Sequence, residues 1–397
     1  MHPKRPRLPI ARRIRTLRGK VIMALLLFFG LGVPAAAHAA PGELLWDFRT
    51  DGQIWSPPTH DRGTLYFGSD DGHIYALDTR SRALKWKFAT GGKVRSKPAV
   101  DGDLVVAASD DGYLYALDRS SGAQRWRFSL ESHDLHRRLP ALSNPYYDFL
   151  HSSPLIHQGQ IFIGSLSGTL FVIDAALGKL AWQYGTGDAI RSTPVVADGR
   201  LYFGSWDDHV YAIDLATKTL AWRTDSGGIV QSTPAIGDGK LVVGSRSAKL
   251  IALDTQSGTE AWHRKIADDS WIESSATFAD DRFYVGSSDS LVVSAHAASD
   301  GRELWAFKTG GWTWATPRIA KGTLYIGGMS AFPYYFDGVT LTSGFFAVDA
   351  ETGREKWRFV PETVAGYVTG GVAVAPEIAD GVVYVAALDG RLYALRE

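Results

Sequence analysis

The sequence predicts an all-β fold, a single eight-bladed β-propeller with four strands in each blade. Three observations support this prediction. A tryptophan recurs at intervals of 40 to 56 residues, short runs of β-branched and aromatic residues alternate with turn residues, and the order of these runs is permuted at the chain ends. A unit of about 40 residues that holds four such runs is typical of a propeller blade.

The recurring tryptophan marks the outer strand of each unit. It stands at eight positions, Trp46, Trp86, Trp126, Trp182, Trp222, Trp262, Trp305 and Trp357. Most copies carry the pattern Asp-x-x-x-Gly-x-x-x-Trp, as in Asp118, Gly122 and Trp126. We expect the tryptophans to pack between adjacent blades. We expect the aspartate and the glycine to form the turn before each of them.

Three further runs complete each unit. One contains Ser/Thr-x-Pro, and the other two have the character of Leu65–Ser69 and Ile74–Asp78. Such runs are typical of strands. The chain begins with an outer-strand run at Leu44–Phe48 and ends with an inner run at Leu392–Leu395. The first strand is therefore expected to complete the last blade, which leaves no open sheet edge between the termini.

The first 39 residues have the layout of a secretory signal peptide. Residues 1–20 are basic, Val21–Gly32 are mostly apolar, and small residues surround a cleavage site near Ala39. The sequence therefore predicts a leader over 1–39 and a propeller over 40–397. We expect a periplasmic or secreted protein with no integral membrane segment after processing. An uncleaved anchor is the alternative, and the general and twin-arginine export routes both stay open.

The charge and the cysteine content exclude several classes of function. The chain has 42 basic and 42 acidic residues, and eight of the basic residues but none of the acidic ones lie within 1–39. The mature protein therefore carries eight more acidic than basic residues, which excludes a non-specific nucleic-acid binder, because phosphate contacts need a basic surface. The absence of cysteine excludes disulfides, thiolate metal sites and lipid attachment at a cysteine.

One position inside the unit does not repeat. It directly precedes Ser/Thr-x-Pro and is occupied in turn by Trp55, Arg95, His151, Arg191, Gln231, Glu273, Trp314 and Ala373. A structural position in a repeat keeps one residue type, whereas seven of these eight side chains are large or polar. We expect them to converge at one mouth of the channel as an anion or polar-group site, with Arg95 and Arg191 as charge-assisted donors. The alternative is solvated residues around a water-filled channel.

The insertions fall on the face that carries this ring. Sixteen residues are added between Trp126 and His151, and twelve between Leu324 and Asp349, relative to the other units. Loops held by a rigid scaffold are where binding residues concentrate. The loops of this face contribute six aromatic binding candidates, Tyr146, Tyr147, Trp271, Trp312, Tyr334 and Tyr335. The sequence predicts neither catalytic nor metal-ligating residues among them.

The motif Ala-x-Asp-x-x-x-Gly-x-x-x-Trp resembles the tryptophan-docking motif of the propeller repeat named after pyrroloquinoline quinone (PQQ). The resemblance covers nearly the whole chain after residue 39. It implies an eight-bladed propeller of one of two kinds. One kind is the quinoprotein alcohol dehydrogenases, which hold PQQ and a calcium ion over the central axis. The other is the non-catalytic outer-membrane β-barrel assembly factor, known as BamB, and its relatives.

The resemblance implies different residues for the two kinds. Quinoprotein dehydrogenases are similar to one another in a calcium-binding Glu and Asn, a catalytic Asp, a Trp under the quinone and a vicinal Cys pair. Here Glu273 fits the acidic ligand and Trp271 or Trp314 the stacking position, but the chain has no Cys, and its single Asn, Asn144, lies outside the ring. We therefore expect a non-catalytic binding or assembly scaffold with a protein partner in the periplasm or at the outer membrane. A planar anionic ligand and a PQQ-dependent dehydrogenase, with PQQ and calcium, remain alternatives.

Overall fold

The computed structural model describes residues 40–130, 151–266, 269–332 and 338–397. These residues form 33 β-strands and no α-helix. The predicted leader lies outside the described residues, and so do Tyr146, Tyr147, Tyr334 and Tyr335. Among the described parts of the chain, no helix is long and apolar enough to cross a membrane.

The strands form eight blades of four antiparallel strands, numbered here along the chain. Blades 1 and 2 contain β2 (Thr59–Asp61), β3 (Thr64–Gly68), β4 (His73–Asp78), β5 (Leu84–Ala89), β6 (Ala99–Asp101), β7 (Leu104–Ala108), β8 (Tyr113–Asp118) and β9 (Gln124–Ser129). Blades 3 and 4 contain β10 (Leu155–His157), β11 (Gln160–Gly164), β12 (Thr169–Asp174), β13 (Leu180–Gly185), β14 (Val195–Ala197), β15 (Arg200–Gly204), β16 (His209–Asp214) and β17 (Thr219–Asp225).

The second half of the ring repeats this order. Blades 5 and 6 contain β18 (Ala235–Gly237), β19 (Lys240–Gly244), β20 (Lys249–Asp254), β21 (Glu260–Lys265), β22 (Thr277–Ala279), β23 (Arg282–Gly286), β24 (Val292–Ala297) and β25 (Glu303–Lys308). Blades 7 and 8 contain β26 (Arg318–Ala320), β27 (Thr323–Ala331), β28 (Gly344–Asp349), β29 (Glu355–Phe359), β31 (Glu377–Ala379), β32 (Val382–Ala386), β33 (Arg391–Arg396) and β1 (Leu44–Arg49). An additional strand, β30 (Val368–Gly371), pairs with the extended end of β27.

The N-terminal strand closes the ring, which confirms the predicted permutation. β1 pairs antiparallel with β33, with Trp46 opposite Ala394 and Phe48 opposite Leu392. Blade 8 is therefore built from both ends of the described chain.

The tryptophans pack against the next blade, as predicted. The indole Nε1 of Trp86 donates to the carbonyl of Arg119, at 2.9 Å, in the turn between β8 and β9 of blade 2. Gly122 in the same turn has a φ of +72°, and a Cβ there would lie 2.6 Å from Cδ2 of Trp86. The motif glycine therefore serves both the turn and the close approach of the neighbouring indole.

The motif aspartate holds the same turn. Asp118 Oδ1 accepts the backbone N–H groups of Ser120 and Ser121, each at 3.0 Å. The Ser120 hydroxyl, the Arg125 guanidinium and the Ser121 hydroxyl donate to this carboxylate and hold its pKa well below the usual range. This is the turn chemistry that the sequence predicts for the position.

The core lies between the blades. Eight clusters of buried apolar residues among the described parts of the chain lie one at each blade–blade interface. One of them joins Ala212 and Trp222 of blade 4 to Val243 and Ile251 of blade 5. Since burial of apolar surface is the main stabilising contribution to folding, the ring depends on every interface.

A buried histidine replaces the aliphatic residue of this core in blade 6. His296 is 2% exposed on β24, where blades 1 and 2 have Leu77 and Leu117. Its Nδ1 lies 3.0 Å from the Gly301 carbonyl, and its Nε2 lies 2.8 Å from the Ser294 hydroxyl. The neutral ring suits both contacts, with Nδ1–H as donor and Nε2 as acceptor. Burial lowers the pKa of His296, and the bond to Gly301 opposes that shift.

We expect His296→Leu to reduce the loss of stability on acidification. Because the folded-state pKa of His296 is below that of the unfolded chain, about 6.5, the unfolded state binds the extra proton first. Stability then falls, by up to about 1.4 kcal/mol per pH unit, as the pH drops from about 6.5 through the folded-state pKa. Urea unfolding at pH 7.5 and 5.5 measures the effect. An equal pH dependence in the variant and the parent would contradict it.

Candidate functional site

The structure brings the eight ring positions together. Their residues line one cavity at the channel mouth, with a volume of about 90 Å³. The predicted convergence of Trp55, Arg95, His151, Arg191, Gln231, Glu273, Trp314 and Ala373 is therefore present in the structure. Whether these residues bind a ligand stays a prediction at this point.

A close contact between neighbouring blades lies directly before six of the eight ring residues. Val230, which precedes Gln231, packs over Gly204 at the end of β15, where a Cβ would lie 2.2 Å from Cγ1 of Val230. The Val230 N–H also donates to the carbonyl of Ser205 at 3.1 Å. The serine of Ser/Thr-x-Pro then links inner strands, since the Ser192 hydroxyl donates to the Ser232 carbonyl at 2.9 Å. The repeated residues thus form a rigid frame for the residues that differ.

A second set of non-repeating residues surrounds the ring and was missed by the sequence analysis. We call them tip residues, since each follows the serine at the turn between the second and third strands of its blade. In blades 1 to 6 they are Asp70, Asp110, Leu166, Trp206, Arg246 and Ser288. The ring is visible in the sequence because its residue type varies from one repeat to the next. The tip position varies in the same way.

The tip residue of one blade pairs with the ring residue of the next. Arg95 donates to both carboxylate oxygens of Asp70, each at 2.8 Å. His151 Nδ1 lies 3.1 Å from Asp110 Oδ1. Burial opposes ionisation of Asp110, but His151 and the nearby cations outweigh it and lower the pKa of the carboxylate. The sequence predicts that the Arg95 guanidinium donates hydrogen bonds to a ligand. In the structure, its Nε and Nη2 donate to Asp70 instead.

The same pairing continues in blades 5 to 7. Arg246 Nε donates to Oε1 of Glu273, at 2.7 Å, and Glu273 is 2% exposed. Trp314 Nε1 donates to the Ser288 hydroxyl at 3.1 Å. In each of these pairs, one residue donates the hydrogen bond and the other accepts it.

Guanidinium groups also lie against tryptophan rings at this mouth. The Arg191 guanidinium carbon is 4.6 Å from the centre of the Trp206 ring. The Arg246 guanidinium carbon is 5.1 Å from Trp206 and 4.7 Å from Trp271. These distances are within the range of cation–π attraction.

The two loop tryptophans that the structure describes differ in their exposure to solvent. Trp271 is partly exposed and contacts Arg246. Trp312 is 1% exposed and stacks on Trp314, with ring centres 5.1 Å apart and planes 12° apart. Because it is buried, Trp312 contributes to packing under the face rather than to an open binding surface.

The connections of blade 7 expose apolar side chains on the ring-bearing face. Phe332, which follows β27, is 73% exposed, Val339 is 42% exposed, and Val360, which follows β29, is 59% exposed. The Phe332 N–H donates to the Tyr367 carbonyl at 2.8 Å, which ties the two connections together. Several large apolar residues exposed in one region are typical of interaction sites.

The comparisons with known proteins decide the family. A family model described as outer membrane protein assembly factor BamB matches residues 32–148, 110–275 and 269–397. The chain belongs to this family. No curated protein matches the chain in sequence.

Three solved structures share the fold of this BamB-family chain. BamB from Moraxella catarrhalis has a TM-score of 0.63 at 19% identity, over 72% of this chain and 87% of that one. The computationally designed Ika8 protein has a TM-score of 0.69 at 16% identity, over 88% and 98%. A europium-containing methanol dehydrogenase has a TM-score of 0.64 at 15% identity, over 86% and 84%.

The ring of this BamB-family chain does not fit a calcium-chelated quinone. Its carboxylate, Glu273, bonds to the Arg246 guanidinium, which would repel a cation at the same place. Within the described residues, no group of three or more His, Cys, Asp or Glu side chains is arranged to hold a metal ion. The cavity of about 90 Å³ is also well below the roughly 300–1,000 Å³ of sites for cofactor-sized ligands.

Proposed function

We propose that the chain is a non-catalytic scaffold that binds a protein partner on its ring-bearing face. The observation that supports this most is the exposed apolar set of Phe332, Val339 and Val360 in the connections of one blade. Exposed apolar side chains on a rigid frame favour association with another protein. The internal pairing of the ring charges supports it further, because the ion pairs Arg95–Asp70 and Arg246–Glu273 engage groups that catalysis would use.

We further propose that this binding takes place outside the cytoplasm. The layout of residues 1–39 supports export. The description of the family, an outer membrane protein assembly factor, favours a partner at the outer membrane. The sequence contains no cysteine to which a lipid could be attached.

Site-specific photo-crosslinking tests the scaffold. With p-benzoylphenylalanine at position 332, we expect a discrete adduct of higher mass in cells of the source organism, reduced by Val360→Asp. The matched control is position 177, because Leu177 is 64% exposed in the turn between β12 and β13, on the opposite face. Equal adducts from both positions would contradict a partner site on the ring-bearing face.

A PQQ-dependent dehydrogenase or PQQ-binding protein is the alternative function. The observation on its side is the fold that the chain shares with a europium-containing methanol dehydrogenase. Titration of the purified protein with PQQ and calcium, followed by tryptophan fluorescence, separates the two functions. The scaffold proposal expects no saturable quenching. Quenching that saturates and is lost in Glu273→Gln would favour the alternative.

A further inference from the structure

At one step of the propeller, the tip residue and the following ring residue are both polar but do not bond to each other. Between blades 4 and 5 the tip residue is Trp206 and the following ring residue is Gln231. The indole Nε1 of Trp206 and the amide Nε2 of Gln231 are both buried and have no hydrogen-bond partner among the residues that the structure describes. At four other steps the tip and ring residues bond to each other at 2.7 to 3.1 Å.

Both unpartnered groups can only donate. Indole has no acceptor, and the amide nitrogen of glutamine carries two N–H groups. The amide oxygen of Gln231 faces the Arg246 guanidinium at 3.5 Å, which leaves the nitrogen on the other side of the amide. Trp206 is 3% exposed and Gln231 is 5% exposed, so solvent does not satisfy them freely. Buried donors without acceptors are rare in folded proteins and call for an explanation.

We propose that this step is a subsite for a carboxylate group, which accepts a hydrogen bond from Gln231 Nε2 and lies beside the Trp206 indole. Gln231 lines the central cavity, whose volume of about 90 Å³ matches about three water molecules and suits a small group. The inference deepens the proposed binding function and rests on it, because it names the chemistry that the channel mouth recognises.

The surroundings of the subsite favour an anionic acceptor over a neutral one. The guanidinium carbons of Arg191 and Arg246 lie 4.6 and 5.1 Å from the centre of the Trp206 ring. Both cations are buried or nearly so, so solvent screens them weakly. A negative charge beside this indole is attracted by both guanidinium groups, and Glu273 offsets part of the attraction of Arg246. Hydrogen bonds to charged groups are also the stronger ones.

The carboxylate has two possible sources, an acidic side chain of the partner or a free small acid. We expect sodium acetate, at constant ionic strength, to shift the Trp206 indole resonance in ¹H–¹⁵N spectra of the full chain and to saturate in the millimolar range. The indole resonance is assigned by its loss in Trp206→Phe. Sodium chloride should leave it in place.

Variants and a peptide make the test decisive. Gln231→Met keeps the side-chain length and removes the donor, and should weaken acetate binding about tenfold. Gln183→Met, at an exposed position of β13, is the matched control and should not change it. Tighter binding of the blocked peptide acetyl-Gly-Glu-Gly-amide than of acetate assigns the site to a partner side chain, and binding of acetate alone assigns it to a free acid.

Two results would overturn the proposal. One is the absence of any shift with acetate or the peptide, which would mean that water alone satisfies the two donors. The other is a shift that Gln231→Met leaves unchanged. Both results are independent of the crosslinking experiment. If the chain crosslinks from position 332 but does not bind carboxylates, the subsite is refuted and the scaffold proposal is not.

Discussion

Arg246→Ala is expected to lower the free energy of unfolding by about 3 kcal/mol. The substitution removes the partner of a carboxylate that is 2% exposed, and breaking a buried ion pair on one side costs about 3–5 kcal/mol. It also removes the cation that lies against Trp206 and Trp271. Urea unfolding followed by tryptophan fluorescence measures the change.

An exposed ion pair provides the control. Lys265 and Asp269 lie 2.5 Å apart with side chains 66% and 75% exposed, so Lys265→Ala should change stability by less than about 1 kcal/mol. Arg246→Met combined with Glu273→Leu should recover most of the loss, because the buried charge is then absent on both sides. Equal effects of Arg246→Ala and Lys265→Ala would show that the buried pair at the channel mouth stabilises the fold no more than an exposed ion pair does.

Gly122→Ala is expected to destabilise the ring by about 3 kcal/mol. The residue adopts a φ of +72°, which costs an L-residue about 1–2 kcal/mol, and the new Cβ would lie 2.6 Å from the Trp86 ring. Overpacking of this kind costs about 1–3 kcal/mol more. Thermal unfolding of the two proteins gives the difference.

Gly102→Ala separates the two causes. Gly102 has a φ of +54°, and a Cβ there would meet nothing within 4 Å. It should therefore show only the conformational cost, about 1–2 kcal/mol. If Gly122→Ala were no worse than Gly102→Ala, the contact between the turn of blade 2 and Trp86 would not be tight.

The fold was predictable because its geometry repeats. The tryptophan period, the strand runs and the permuted ends are all local patterns, and each strand of a blade uses the same pattern in most copies. The ring was predictable for the same reason, since a position that varies within a repeat, such as Arg191 or Glu273, is visible without coordinates.

The chemistry of the mouth was less predictable. Sequence comparison of the repeats does not say that a tip residue faces the ring residue of the following blade, so the pairing of Arg246 with Glu273 and of Asp70 with Arg95 was missed. The burial of Trp312 was missed too, because it depends on stacking against Trp314 and on a bridge to Met329. These are contacts between separate connections, which no local pattern encodes.

The closure of blade 8 has a consequence for synthesis and quality control. Asp47 of β1 and Arg391 of β33 form an ion pair although they are 344 positions apart in the chain. A nascent chain therefore carries β1 as an unpaired strand until β33 has been made, and contacts between such distant segments form slowly. A chain cut short before Arg391 would keep two strand edges open to aggregation or proteolysis. Ring closure thus reports whether both β1 and β33 have been made.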